Sequence, residues 1–162
     1  MGFEIFALDV ERGVLALSPV PGGGGDLAAD VAAIDAWGGT LVISATEQEE
    51  MATLGAGDLP DVLRGAGVVW VHFPIQDFGV PERAVEARWV EVSKLAHQHL
   101  ETGGHVLVHC RGGCGRSGML VLRLMVEAGR APEEALAQLR RVRACAVETD
   151  AQMDWATGGN QL

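Results

Sequence analysis

Apolar residues along the chain gather in short blocks separated by glycine- and proline-rich breaks, and the blocks are of two kinds. Glu4 to Asp9 and Val14 to Leu17 read as two short strands, and Thr40 to Ser44, Val68 to Phe73 and His105 to His109 as apolar strands rich in Val, Leu and Ile, of the kind a buried sheet uses. The longer stretches between them carry apolar residues three and four apart. Leu27, Val31 and Ile34 predict a helix over Asp26 to Trp37, closed by Gly38-Gly39. Thr46 with Glu49 predicts a capping box for a short helix ending near Gly55, and Asp58 to Arg64 predicts another. Val85, Trp89, Val92 and Leu100 predict one long helix over Glu82 to Leu100. Further helices are expected over Met119 to Glu127, over Pro132 to Val142 and after Thr149, while Ser18 to Gly25 and Pro74 to Pro81 read as loops.

Strands alternating with helices predict an α/β fold: one domain over residues 1–162, with a mostly parallel central sheet flanked by helices on both faces. Ligands of such sheets sit at the carboxyl ends of the strands, where Cys110 and the loop carrying Asp77 both fall. The helical stretch between them is long enough for a crossover that returns the strand of Cys110 beside that of Asp77.

Composition narrows the partners. An apolar share of 48% and a charged share of 21% suit a soluble globular chain, and no apolar run approaches the roughly 20 residues of a membrane span. Met1 to Phe6 lacks the basic start of a signal peptide, so a cytoplasmic location is the default expectation, and the chain is expected to be a monomer. The net charge of −10 argues against nucleic acid and anionic membranes, and makes any phosphate site a local positive island. Three cysteines, an odd number, predict no disulfide framework and fit a reducing compartment.

The candidate chemistry lies in Val108-His109-Cys110-Arg111-Gly112-Gly113-Cys114-Gly115-Arg116-Ser117-Gly118, between a strand and a helix start. A glycine-rich turn there aims backbone N–H groups and a positive dipole end at an anion. Arg111, Gly112, Gly113, Cys114, Gly115 and Arg116 form the expected phosphate cradle. Arg116 adds a fork that matches two phosphoryl oxygens. The same features favour the thiolate of Cys110, the reactive form. Ser117 places a hydroxyl where it can bond the sulfur and ease its departure. Arg111 and Arg116 oppose a metal cation, and no Cys-x2-Cys pair is present.

This Cys-x5-Arg-Ser arrangement resembles the signature of the cysteine-based protein tyrosine phosphatases. The full form, His-Cys-x-Gly-Gly-x-Gly-Arg-Ser-Gly, is most similar to the dual-specificity branch, and within it to the cyclin-dependent kinase inhibitor 3 type. The resemblance implies hydrolysis of phosphotyrosine, with or without phosphoserine and phosphothreonine, on phosphorylated protein substrates. It implies a cysteinyl-phosphate intermediate on Cys110, with no metal and no cofactor. Asp77, in the loop His72 to Pro81, is then the general acid and later the base; Glu82 reads better as a first-turn helix charge. His109 is implied to order the loop. Arg140 to Gln152 is similar to the family stretch ending Glu-Thr-x-x-Gln, which makes Gln152 a candidate for positioning water; Ala144-Cys145 stand where many members have Pro-Gly. Glu47 to Glu50 also resembles the kinase-inhibitor-3 type. The chain has no tyrosine, which excludes the pocket tyrosine of the tyrosine-only branch.

Alternatives stand beside this reading. Gly113 to Gly118 also spells the dinucleotide fingerprint Gly-x-Gly-x-x-Gly, so a phosphate- or dinucleotide-binding module without hydrolysis is the rival. Cys114 reads either as a redox partner that traps oxidised Cys110 or as a small neutral filler. Cys145 reads as a buried apolar residue, His97 and His99 as surface residues, and Trp37, Trp70 and Trp89 as core.

Overall fold

The computed structural model describes residues 2–158; Met1 and residues 159–162 of the expected domain lie outside them. Five strands, β1 (Phe6–Val10), β2 (Gly13–Ser18), β3 (Gly39–Ser44), β4 (Val69–His72) and β5 (His105–His109), form one sheet in the order β1-β2-β5-β3-β4. The β1–β2 hairpin is antiparallel and every other pairing is parallel. Eight helices complete the described residues: α1 (Leu27–Trp37), α2 (Gln48–Thr53), α3 (Leu59–Gly65), α4 (Arg83–Glu86), α5 (Trp89–Glu101), α6 (Gly115–Glu127), α7 (Pro132–Val142) and α8 (Asp150–Ala156). None is long and apolar enough to cross a membrane.

The side-chain period of two along the parallel strands divides the core. Leu15, Leu17, Leu41, Ile43, Val106 and Val108 face the layer built by α5 to α8. Ala16, Val42 and Leu107 face the layer of α1, α2 and α3, where Val31, Ile34, Met51, Leu59 and Leu63 cover them. The sheet thus has helices on both faces, as the alternation of elements predicts.

Four expectations are corrected. The strand of Cys110 does not lie beside that of Asp77, because β3 pairs with both β5 and β4 and separates them. The helix expected over 82–100 breaks at Ala87 and Arg88. The break turns Trp89 inward, with its ring against Phe73 and Trp155 at centroid distances of 5.3 and 5.2 Å. The capping box is shifted by one residue: Glu47 is the N-cap of α2 and Glu50 closes the box, while Thr46 is buried. That shift decides which glutamate faces the site. Outside the site, His97 and His99 are half-buried rather than surface residues, since His97 sits between Glu11 and Glu127 and His99 bonds Thr40.

Candidate active site

Cys110 is the first residue past β5, the middle strand, and the chain curls through Arg111–Cys114 before α6 begins at Gly115. Each carbonyl of this turn is held from outside. Cys110 O accepts from His109 Nδ1 at 3.1 Å and Arg111 O from the N–H of Val20 at 3.0 Å. Gly112 O and Gly113 O accept from Nη2 and Nε of Arg143 at 2.9 and 3.1 Å. Cys114 O accepts from the N–H groups of Gly118 and Val147 at 3.0 and 3.1 Å. A trans peptide directs its N–H opposite to its carbonyl, so the N–H groups of residues 111–115 turn inward. With the N-terminus of α6 they make an anion cradle. Gly113 has φ +73, and an added Cβ would lie 2.6 Å from the carbonyl carbon of Ser18, so no side chain fits there.

The Cys110 thiol lies at the floor of this cradle, 3% exposed, with Sγ 3.2 Å from Ser117 Oγ. Above it opens a cavity of about 300 Å³, lined by the loop, Arg116, Asp77, Phe78 and Glu148. Asp77 Oδ1 lies 3.2 Å from Arg116 Nη2 and accepts the N–H of Phe78 at 3.0 Å. The nucleophile and acid expected from the sequence therefore meet across one cavity.

Arg116 is almost wholly buried and its donors are nearly all placed. Nη1 donates to Glu50 Oε2 at 2.8 Å and to the Ile75 carbonyl at 2.9 Å, while Nη2 donates to Glu50 Oε1 at 2.7 Å. Burial opposes its charge, but the Glu50 hydrogen bond and the nearby Cys110, Glu50 and Asp77 outweigh it, and its pKa lies above the usual value. The hydrogen bond from Arg116 holds Glu50 below the ordinary carboxylate range. Among the described contacts, Nε and the Nη2 hydrogen shared with Asp77 are the donors left for a ligand.

His109 is buried against three strands. Trp70 Nε1 donates to Ser44 Oγ at 2.8 Å, and Ser44 Oγ lies 2.5 Å from His109 Nε2. The indole can only donate and the Cys110 carbonyl can only accept, so the serine hydroxyl gives its hydrogen to Nε2 and Nδ1 carries the ring proton. Burial pushes the His109 pKa down to about 4, which keeps the ring neutral.

A family model described as polymorphic toxin system, DSP-PTPase phosphatase, matches residues 40–130. The chain belongs to that family. Mouse cyclin-dependent kinase inhibitor 3 is 32% identical over 108 residues, 65% of this chain and 50% of that protein. Mouse protein tyrosine phosphatase domain-containing protein 1 is 32% identical over 111 residues, 68% of this chain and 14% of that protein. The chain thus spans half or less of the length of these relatives. Among solved structures, kinase associated phosphatase with serine in place of its catalytic-site cysteine matches in fold, with TM-score 0.82, 20% identity and 99% of each chain covered. Tk-PTP in its active form matches with TM-score 0.69, 30% identity and 90% of each chain covered.

Within this DSP-PTPase domain neither reading of Cys114 holds, as redox partner of Cys110 or as neutral filler, and the reading of Cys145 fails with them. Cys114 is not the partner of Cys110: it is bonded to Cys145, with Cα atoms 5.1 Å apart, and Cys110 is free. Cys145 is accordingly exposed and not a core residue. The turn after α7 carries it over the glycine-rich loop, to which Arg143 and Val147 already bind. With this pair formed, the cysteine count no longer argues for a reducing compartment.

Gln152 is buried beside the loop that carries Asp77. Its Oε1 accepts from the N–H groups of Glu148 and Thr149 at 2.9 and 3.3 Å, and Nε2 donates to Gly79 O at 3.1 Å. Its second amide N–H is the one left for a water. Glu50, Ser44, Arg143 and Glu148 belong to the site without having been picked out. Glu50 lay inside a stretch already noted, and shifting the capping box by one residue would have aimed it inward. Glu148 lines the cavity beside Gly115, where an added Cβ would overlap its Oε1, so only glycine leaves room for the carboxylate in this position.

Proposed function

We propose that this chain, acting as one phosphatase domain, hydrolyses phosphotyrosine and phosphoserine or phosphothreonine in proteins through a phosphocysteine on Cys110. The observation that carries the reading is convergence: a buried thiol, five inward N–H groups, a fixed guanidinium and an accessible carboxylate around one cavity. Cys110 Sγ attacks phosphorus in line with the leaving oxygen, while the N–H cradle and Arg116 hold the oxygens on which charge spreads. A phosphoryl oxygen that takes the Nη2 hydrogen of Arg116 displaces Asp77, which takes up a proton from solvent, gives it to the leaving oxygen and, again a carboxylate, later accepts a proton from the attacking water. Ser117 Oγ, already on the sulfur, supports the thiolate as it leaves, and Gln152 orients the water. Membership of the DSP-PTPase family and a sequence without tyrosine favour dual specificity over tyrosine alone.

The rival dinucleotide module lacks support, since among the described residues no strand follows α6 to supply the second strand and ribose-binding acid. The substrate is a phosphoprotein met by a monomer, without nucleic acid or membrane. A cytoplasmic setting keeps the Cys114–Cys145 bond under reducing pressure. The test is turnover of a small aryl phosphate in excess chelator. Turnover is expected for the wild-type chain and none for Cys110→Ser; wild-type turnover by Cys110→Ser would sink the mechanism.

A further inference from the structure

Three of the outward carbonyls of the phosphate loop, those of Gly112, Gly113 and Cys114, are held by a single segment, residues 143–147. The same segment is joined covalently to the loop through Cys114–Cys145. Its backbone is already extended at Arg143, and a turn in which the N–H of Ala146 donates to Arg143 O at 3.0 Å presents Cys145. Val147, a β-branched residue, sits at φ +67, in the left-handed region that its side chain disfavours. Arg140 grips the carbonyls of Ala146 and Val147 on either side of that strain, at 2.9 and 3.0 Å. A residue keeps such a conformation only where its surroundings over-determine it.

The disulfide is the one of these constraints that solution chemistry can remove and restore. Cys145 is exposed and Cys114 half-buried, whereas Cys110 is 3% exposed and outside the bond. We infer that Cys114–Cys145 is a redox-sensitive staple that sets the anion affinity of the phosphate loop, a role that rests on the loop being the phosphate site proposed above. Oxidised, the bond keeps residues 143–147 seated, the loop carbonyls outward and the N–H groups inward. In reduction, a thiolate of an external dithiol attacks Cys145 Sγ and Cys114 leaves as thiolate and takes up a proton. The second thiol of the reductant then displaces Cys145. The dithiol gives up two electrons and two protons and becomes a disulfide, and the protein gains two thiols. Val147 is then able to relax and withdraw its N–H from Cys114 O, and the glycine-rich loop gains conformations that scatter its donors.

The test is calorimetric binding of inorganic phosphate to the Cys110→Ser chain, oxidised and after full reduction by a dithiol, with free thiols counted by alkylation and mass spectrometry. Cys110→Ser keeps oxidation of the nucleophile out of the readout. Reduction is expected to weaken phosphate binding about fivefold or more, and reoxidation to restore it. A Cys114→Ser, Cys145→Ser double variant should bind weakly with or without the dithiol. By linkage, saturating phosphate should oppose reduction of the disulfide by the same factor. Equal phosphate affinity in the two redox states overturns the staple. Redox-dependent binding by the Cys110→Ser chain, with no aryl phosphate turnover by the wild-type chain in either redox state, sinks the phosphatase reading and leaves the staple standing. Turnover with redox-indifferent binding does the reverse, and no phosphate binding in either state overturns both.

Discussion

Arg116 shows how much of the chemistry rests on a contact between residues far apart in the chain. Its identity was legible, because a Cys-x5-Arg spacing across a strand, turn and helix start serves an anion better than any structural purpose. Its partner was not. Glu50 lies 66 residues away, and no local pattern says that its carboxylate will take both η nitrogens at 2.7 and 2.8 Å. The pair fixes the plane of the guanidinium before substrate arrives, so two substitutions should differ in kind. Arg116→Lys cannot present a fork and should lower kcat/KM for an aryl phosphate about 10²-fold or more. Glu50→Gln keeps an acceptor oxygen but loses the charge, and its kcat/KM should fall by less than that of Arg116→Lys. Steady-state kinetics of the two variants check the order; a larger loss from Glu50→Gln would mean that Glu50 does more than position Arg116. Asp77→Asn should slow poor leaving groups most. A loss equal across a series of substituted phenyl phosphates would remove Asp77 from the acid role.

At the scale of elements, the strands and their burial were readable because a period of two, or an unbroken apolar run, is a local signal. Lateral order is not local, which is why β3 intervenes between β4 and β5 where a simple crossover was expected. That intervention has a use. Trp70 on β4, Ser44 on β3 and His109 on β5 form one hydrogen-bonded row that ends on the Cys110 carbonyl, so three strands fix where the loop begins. Ser44→Ala should leave the indole N–H and the His109 ring without their shared partner and cost about 1–3 kcal/mol in urea unfolding. The break after α4 has the same origin as the strand order. It accompanies the packing of Trp89 on Phe73 and Trp155, long-range ring contacts that the helical spacing of apolar residues does not encode. Phe73→Ala, at a fully buried position, should cost about 3–5 kcal/mol, and a loss under 1 kcal/mol would contradict the packing described.

For the whole molecule, buried titratable groups tie stability to pH with a definite sign. His109 has a folded pKa of about 4 against 6.5 unfolded, so as pH falls the unfolded chain takes up the proton first. Its neutral ring contributes full stability above pH 6.5, and about 3 kcal/mol is lost by pH 4. Glu50, lowered from 4.5, adds a contribution that is present above pH 4.5 and lost below it as the carboxylate protonates. Urea unfolding at stepped pH should therefore give a wild-type slope between pH 6.5 and 4 that His109→Gln flattens; parallel slopes would refute the burial argument for His109.

The disulfide belongs to this scale as well. An odd cysteine count gave no reason to pair Cys114 with Cys145, because the pairing depends on how the turn after α7 crosses the loop. The catalytic claim itself is tested most directly by rapid acid quench of the chain during turnover of an aryl phosphate, followed by peptide mass spectrometry. The account predicts a phosphoryl adduct on the peptide containing Cys110 and none in Cys110→Ser. Full turnover with no adduct, or with the adduct on another residue, would contradict it.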